Sequence, residues 1–248
     1  MAPLIKVGCC GFCTSRKKYF SLFSVVEVQK TFYTIPKKDL MKKWRKEAPP
    51  DFEFTVKAWM GFTHDPRSSF WKKKGLPDDE RMGFLRPSDK NLDLWEEFLS
   101  AISPLEPSVI IFQTPSSFKA TESNIKNLVE FFESIKRGNF VLGLEVRDPS
   151  WFSHGELGRI LSSVGVIHVT DPLFDRVFSV QDILYFRLHG TRKGGRIVYK
   201  HRYSDEELLQ VAKLSGEAEV AYVMFNNVYM KDDALRFMEL IRDTTNPP

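Results

Sequence analysis

Four residues with acidic or imidazole side chains stand at or just beyond the ends of short apolar runs. They are Glu27, Glu145, Asp171 and His189. Carboxylates and imidazoles act as general acids and bases, and both bind divalent metal ions. We predict these four as the catalytic candidates. If the site uses a divalent metal cofactor, the expected ligands are Glu145, Asp171 and His189.

A second set of polar residues stands at the same kind of position, with side chains suited to binding a ligand. Cations neutralise phosphate groups, and amides fix the orientation of a ligand through hydrogen bonds. The predicted ligand-binding residues are Lys57, His64, Gln113, Arg147, Arg187, Asn226 and Asn227. His64 lies in a long connection, so its role depends on that connection folding over the site.

Structural roles compete with this interpretation at single positions. Glu27 can form an ion pair with Lys57, and Arg147 can pair with a neighbouring carboxylate. His189 can be a hydrogen-bonded core histidine. Purely structural polar residues should be distributed over both ends of the apolar runs, whereas nearly all of these stand at one end. The set as a whole therefore favours a ligand site.

A glycine-rich basic segment, residues 191–196, follows the sequence Arg187-Leu188-His189-Gly190. Backbone N–H groups and nearby cations in such segments bind phosphate, notably after the seventh strand of a barrel. The segment predicts a phosphate-bearing ligand, and a solvated turn is the alternative.

Three cysteines are clustered near the start of the chain, at Cys9, Cys10 and Cys13. An odd number argues against a disulfide framework, and a zinc or iron–sulfur site needs more thiolates than one Cys-x-x-Cys pair supplies. We expect unligated thiols in a reducing compartment.

A strand-then-helix rhythm runs through the whole chain, as in a parallel sheet. Helices are predicted at 37–47, around 92–102, at 121–135, at 154–163, after Ser204 with a capping sequence, and at 232–241. The predicted strands span residues 4–9, 24–28, 52–57, 108–113, 140–145, 166–169, 184–188 and 220–225.

Eight such units fit one closed barrel. A (β/α)₈ barrel takes about 250 residues, and this chain has 248. Residues 1–248 are therefore predicted to form a single α/β domain, a (β/α)₈ TIM barrel that can be irregular, with an open doubly wound sheet as the alternative. Polar residues at the carboxyl ends of its strands would meet at one mouth. The connection at 61–90 is too long to be a simple linker, and a lid function stays open.

Composition narrows the class of protein. Apolar residues make up 42% of the chain, enough for a large core. A net charge of +4 permits an acidic partner without requiring one. No apolar run reaches the length of a membrane span and no signal peptide is visible, so we expect a cytoplasmic protein without membrane contact. The sequence indicates no protein partner.

A series of short motifs runs in order along almost the whole chain, at residues 7–12, 26–36, 54–57, 63–64, 112–118, 144–151, 186–190 and 225–227. Together these motifs resemble the YecE-like family, known as domain of unknown function 72. The family usually has Thr-Ser-Gly-Trp at 9–12 and Asn-Ser at 29–30, where this chain has Cys-Cys-Gly-Phe and Gln-Lys. The resemblance implies a (β/α)₈ barrel with its site at the mouth, and no settled activity.

Three functions fit the mouth residues. The first is a nucleic-acid-directed phosphoesterase or DNA-binding protein, in keeping with a fold-level likeness to the apurinic endonuclease barrel. The second is a carboxylate-driven hydrolase or isomerase of a sugar or other small metabolite. The third is a non-catalytic nucleic-acid-binding module that stacks bases on its aromatic rings. The stacking candidates are Phe32, Tyr33, Trp59 and Trp151.

Overall fold

The computed structural model describes residues 3–153, 155–178 and 180–245. Eight parallel strands close into a barrel in chain order, and the last pairs with the first over Leu4↔Val220 to Cys9↔Phe225. This closure confirms the predicted (β/α)₈ barrel over the open sheet, whose strand order would reverse at one point. The barrel strands are β1 (Leu4–Cys10), β2 (Val25–Val28), β3 (Glu53–Lys57), β4 (Val109–Gln113), β5 (Val141–Glu145), β6 (Ile167–Thr170), β7 (Ile183–Leu188) and β10 (Val220–Phe225).

Helices connect the strands around the outside of the barrel. Three of the longer ones begin at residues whose side chains cap free backbone N–H groups. Ser88 caps the helix at Asp89, Thr121 caps the helix at Glu122, and Ser204 forms the predicted capping box with Glu207. The helices are α1 (Arg16–Phe20), α2 (Lys30–Tyr33), α3 (Lys38–Glu47), α4 (Ser69–Lys73), α5 (Asp89–Ile102), α6 (Glu122–Ser134), α7 (Ser150–Ser153), α8 (Leu157–Ser163), α9 (Asp205–Ser215) and α10 (Met230–Thr245).

Most predicted bounds lie within one or two residues of the observed ones, but one helix differs. The predicted helix at 154–163 is replaced by α7 and α8, and its first residue, His154, lies outside the described residues. Among the residues that the structure describes, no helix has both the length and the apolar composition needed to cross a membrane.

The long connection after β3 is ordered and packed against the barrel. It contains a 3₁₀ turn at Met60–Phe62 and the short helix α4. Its Trp71 is fully buried, and the backbone N–H of Gly83 donates to the Gly61 carbonyl at 2.9 Å. Gly83 has φ 74°, and a Cβ there would lie 2.0 Å from the His64 carbonyl oxygen. Only glycine fits that position, which ties the end of the connection to its beginning.

The basic segment after β7 forms an antiparallel hairpin, which the sequence analysis treated as a loop. Its strands are β8 (Thr191–Lys193) and β9 (Arg196–Val198). Gly190 has φ 107°, and a Cβ there would lie 2.4 Å from the Val198 carbonyl oxygen. The glycine therefore lets the chain turn from β7 into the hairpin, which stands at the edge of the mouth.

Candidate functional site

A cavity of about 1170 Å³ opens where the carboxyl ends of the strands meet. Seven of the predicted site residues line it: Lys57, His64, Gln113, Glu145, Arg147, Asp171 and Asn226. Three others, Glu27, Arg187 and His189, lie buried beneath it and contact the residues that line it. Asn227 points elsewhere, because its amide donates to Asp233 Oδ2 at 2.6 Å and to the His201 carbonyl at 2.7 Å.

Arg187 is the centre of the buried group. It is fully buried, its Nη2 lies 2.9 Å from Glu27 Oε1, and its Nη1 contacts Glu145 Oε2. The same Nη1 donates to Gln113 Oε1 at 3.0 Å. Alternate residues of a strand face the same side, so Tyr185 and Arg187 both point into the barrel, where the Tyr185 hydroxyl donates to Glu27 Oε2 at 2.9 Å. Arg187 therefore joins β2, β4, β5 and β7 below the cavity.

Glu145 receives most of the donors at the cavity floor. Arg147 Nη2 lies 2.7 Å from Glu145 Oε1, and His189 Nε2 lies 3.0 Å from the same oxygen. Burial alone would raise the pKa of Glu145, but Arg147, Arg187 and His189 hold that pKa well below its usual range. We call Glu27, Gln113, Glu145, Arg147, Arg187, His189 and Asn226 the floor network. Each of its two carboxylates contacts at least one cation.

His189 is a neutral member of the floor network. The Asn226 amide nitrogen lies 2.9 Å from His189 Nδ1, so this nitrogen accepts and Nε2 carries the proton that is donated to Glu145. Burial lowers the pKa of His189 to about 3. The ring positions Glu145 and carries no charge at neutral pH.

Asp171 is the carboxylate with the greatest capacity for proton transfer. It is buried and pairs with no cation among the described residues, although its oxygens accept the backbone N–H groups of His189 at 3.2 Å and Leu173 at 3.3 Å. Burial raises its pKa to about 7. A group with such a pKa exchanges protons readily at neutral pH, which suits a general acid or base.

Lys57 differs from every cation of the floor network. It is 6% exposed, it lines the cavity, and its Nζ lies 3.8 Å from the centre of the Phe32 ring. No described residue forms an ion pair with Nζ or accepts a hydrogen bond from it. Burial lowers the pKa of Lys57 to about 7, and the nearby Arg187 adds to the effect. The pairing of Lys57 with Glu27 that the sequence allowed is replaced by the pairing of Glu27 with Arg187.

His64 lies at the cavity because the long connection folds over the mouth. Its Nδ1 is 2.9 Å from the Thr63 hydroxyl, and its ring packs on Phe32 and Phe70 at centroid distances of 5.3 and 5.8 Å. Burial lowers the pKa of His64 to about 4, so the ring is neutral.

Exposed aromatic side chains surround the entrance. Seven large apolar side chains are exposed among the described residues, and four of them line this cavity: Tyr33, Phe70, Phe174 and Tyr199. Only Tyr33 of these was predicted from the sequence. Of the other predicted rings, Phe32 lines the cavity but is buried, and Trp59 and Trp151 lie in the core, where the Trp151 indole donates to the Phe118 carbonyl at 2.7 Å. Position after a strand end would have identified two of the three missed rings, since Phe174 follows β6 and Tyr199 follows the hairpin after β7, whereas Phe70 lies in α4.

Two of the cysteines, Cys9 and Cys10, form the end of β1, and Cys13 follows it. Cys9 and Cys10 are buried, and the backbone N–H of Cys9 donates to the Tyr19 hydroxyl at 2.8 Å. Burial and the nearby Glu27 raise the pKa of Cys10. Within the described ranges, no group of three or more His, Cys, Asp or Glu side chains is arranged to hold a metal ion. Asp171 accepts the backbone N–H of His189 and does not contact its imidazole ring, so the three predicted metal ligands do not converge.

The fold and the position of the site define a (β/α)₈ barrel protein with a polar cavity at the carboxyl ends of its strands. A family model described as "Protein of unknown function DUF72" matches residues 14–247. The chain therefore belongs to the DUF72 family, as its motifs indicated.

Relatives and solved structures agree with this assignment. The UPF0759 protein YunF of Bacillus subtilis is 28% identical over 247 residues, which cover 86% of this chain and 81% of YunF. The structure of a DUF72 family protein from Enterococcus faecalis superposes with a TM-score of 0.74 at 20% identity, over 97% of this chain and 98% of that one. A Thermotoga maritima DUF72 structure gives 0.68 at 26% identity, over 96% and 99%.

Proposed function

We propose that this protein binds single-stranded nucleic acid at the mouth of the barrel, with phosphates on cations of the cavity and bases stacked on the exposed rings. The observation that carries the proposal is the combination, around one cavity, of unpaired cations with the exposed aromatic side chains Tyr33, Phe70, Phe174 and Tyr199. Cations along the backbone path and aromatic faces for the bases are the two components of single-strand binding sites.

The charges around the cavity favour an anion. Five cations line it, and Arg147 and Arg192 are paired with Glu145 and Asp175. The remaining three, Lys57, Arg176 and Arg196, have no carboxylate partner among the described residues. Of the lining carboxylates, Asp65 is paired with Arg67, and Asp171 is half-protonated near pH 7. An incoming phosphate therefore meets cations whose charge is not already compensated.

The exposed rings at the entrance leave apolar surface in contact with water, which lowers the stability of the fold relative to burying them in the core. Tyr199 is 45% exposed and Phe174 38% exposed. Arg192 lies over the Phe174 ring at 5.1 Å and occupies one face of it. Exposed aromatic rings grouped at one opening are typical of binding surfaces.

Binding can be measured by fluorescence anisotropy of a labelled single-stranded oligonucleotide across a salt series. Because Lys57 is only partly protonated at pH 7, we expect log K to fall with log salt with a slope of about −1.4 to −2, the range for two to three phosphate contacts on a single strand. Replacing Tyr199 with alanine should weaken binding by about 5- to 150-fold without changing the slope. Arg196→Met should weaken binding and reduce the magnitude of the slope by about 0.7.

Two variants serve as matched controls. Leu209 on α9 is 41% exposed, close to the exposure of Tyr199, but does not line the cavity, so Leu209→Ala should bind like the parent. Lys213→Met places the same loss of charge in the last turn of α9, which leads to the amino end of β10, and Lys213 does not line the cavity. Binding that is absent, or that weakens equally in the control variants, would reject the mouth as a nucleic-acid site.

A further inference from the structure

The burial of the Lys57 amine in the cavity is not fully explained by the proposed binding of phosphate. Its side chain is more than nine-tenths buried and ends in the cavity, whereas Arg176 and Arg196 stand at the mouth. A cation that serves only to attract phosphate gains nothing from such burial, because losing water disfavours its charge. Burial of an amine in a ligand cavity is instead the way proteins prepare a lysine nucleophile.

The groups around Lys57 leave its amine free to react. Arg187 on β7 and Arg147 after β5 oppose its charge, while Glu27 on β2 and Glu145 on β5 favour it. Both carboxylates are already engaged, since Arg187 contacts each of them and Arg147 also binds Glu145. His64 is neutral, and Phe32 covers one side of the amine. With its pKa near 7, a large fraction of Lys57 is the uncharged amine at neutral pH.

We propose that Lys57 forms an imine with the aldehyde carbon of a phosphate-bearing, open-chain sugar held in the cavity. The inference rests on the proposed function for the phosphate contacts, and it adds the class of reacting group. An aldehyde is the partner that a neutral primary amine attacks without any further activation by a cofactor. The phosphate would lie toward Arg176 and Arg196, which leaves the sugar carbon to reach the deeper Lys57.

The reaction balances without an oxidant or reductant. The Nζ lone pair of Lys57 forms a C–N bond to the aldehyde carbon, and the carbonyl π electrons move to oxygen. One proton passes from nitrogen to that oxygen, giving a carbinolamine. The hydroxyl then leaves with the second amine proton as one molecule of water, and the C=N bond of the imine remains. Hydrolysis reverses every step.

Borohydride trapping tests the proposal, because hydride adds to the imine carbon and converts the linkage into a stable secondary amine. The full chain is incubated with borohydride and one of two aldehydes. The first is ribose 5-phosphate, and the second is a single-stranded oligonucleotide with one abasic site, whose open-chain sugar is also an aldehyde. Intact mass measures the adduct, and peptide mapping identifies the modified lysine. We expect one adduct per chain, located on Lys57, with at least one of the two.

Lys57→Arg keeps a cation at the position but removes the primary amine, so the adduct should be lost. Lys213→Arg is the matched control and should form as much adduct as the parent. Thermal unfolding of each variant shows whether it is folded. Adducts spread evenly over surface lysines, or a yield unchanged in Lys57→Arg, would overturn the imine.

Anisotropy with an intact oligonucleotide, measured in parallel, separates the two proposals. Binding of the intact strand without any Lys57 adduct rejects the imine and leaves the proposed function standing. An adduct with ribose 5-phosphate but no binding of either strand supports the imine with a small sugar phosphate and rejects the nucleic-acid function. An adduct with the abasic strand supports both.

Discussion

Two sides of the same cavity hold their ionisable groups in opposite ways. On the side formed by β5 and β7, every charged member of the floor network contacts an opposite charge, and Arg187 contacts two. On the side formed by β3 and the long connection, Lys57 has an aromatic neighbour and no described carboxylate partner. On the first side the buried charges are paired with one another, as buried charges in a protein core usually are. The second retains an unmatched charge that folding alone does not favour.

The difference indicates which groups are available to a ligand. Glu145 already contacts two cations, and Glu27 contacts Arg187 together with the Tyr185 hydroxyl, so both carboxylates have little capacity left for a substrate. Lys57 and Asp171 retain reactive groups with pKa values near 7, and both line the cavity. Residues that lower stability and yet occupy a cavity are expected where function has determined the residue type. Substitutions on the two sides should therefore change the free energy of unfolding in opposite directions.

The largest effect is expected for Arg187→Met. The substitution leaves Glu27 and Glu145 buried without their common cation, and breaking such a buried pair costs about 3–5 kcal/mol. Urea denaturation at pH 7 measures the free energy of unfolding. The exposed Arg196→Met should change it by less than about 0.5 kcal/mol. If Arg187→Met lost no more than that control, the floor network would not be the structural half of the cavity.

Lys57→Met should change stability in the other direction. The pKa of Lys57 is near 7 in the folded chain and near 10.5 in the unfolded chain, so the unfolded chain binds more protons between these values. Parent stability from this group therefore rises with pH through that window and is lowest at or below pH 7. The variant lacks the penalty and should be more stable by about 4 kcal/mol at pH 7. A less stable variant would mean that Lys57 is a structural residue.

Asp171→Asn tests the remaining reactive group. The folded pKa is near 7 and the unfolded one near 3.8, so the folded chain binds the extra proton and this contribution to stability is lost as the pH rises through 7. The variant should gain on the parent by roughly 1 kcal/mol per pH unit between pH 5 and pH 7. Unfolding curves at pH 5, 6 and 7 provide the measurement, and a difference independent of pH would contradict the raised pKa.

The barrel could be predicted closely from sequence because its signals are local. Short β-branched runs alternate with amphipathic stretches, and the last strand was predicted at its observed bounds, Val220–Phe225. The β8–β9 hairpin was missed because each of its strands has only three residues, too few for an alternating pattern to show. Its Gly194 and Gly195, in the segment interpreted as a phosphate loop or a solvated turn, have φ 55° and 74° and form the turn of the hairpin.

The site could be located from sequence, but its internal pairing could not. Strand ends identify the residues that meet at the mouth, and most of the predicted set lies in or directly beneath the cavity. Which cation contacts which carboxylate depends on the closure of the barrel and on side-chain direction. Glu27 is near Lys57 by chain order, since β2 and β3 are neighbours, yet it pairs with Arg187 across the barrel interior. Asn227 differs from Asn226 only by one position and faces away from the cavity.

The smallest effect is expected for His168, which is buried like His189 but differs from it in hydrogen bonding. His189 contacts Glu145 and Asn226, whereas both ring nitrogens of His168 are buried with no partner among the described residues. His168→Leu should therefore raise the free energy of unfolding by about 1 kcal/mol at pH 7, because an unsatisfied polar group is removed. Burial lowers the pKa of His168 to about 4, below its unfolded value near 6.5, so the parent loses stability as the pH falls through this window. The advantage of the variant should grow by roughly another 1 kcal/mol at pH 5.5. Urea denaturation at the two pH values measures it, and a loss of stability at pH 7 would show that the imidazole of His168 has a partner that matters to the fold.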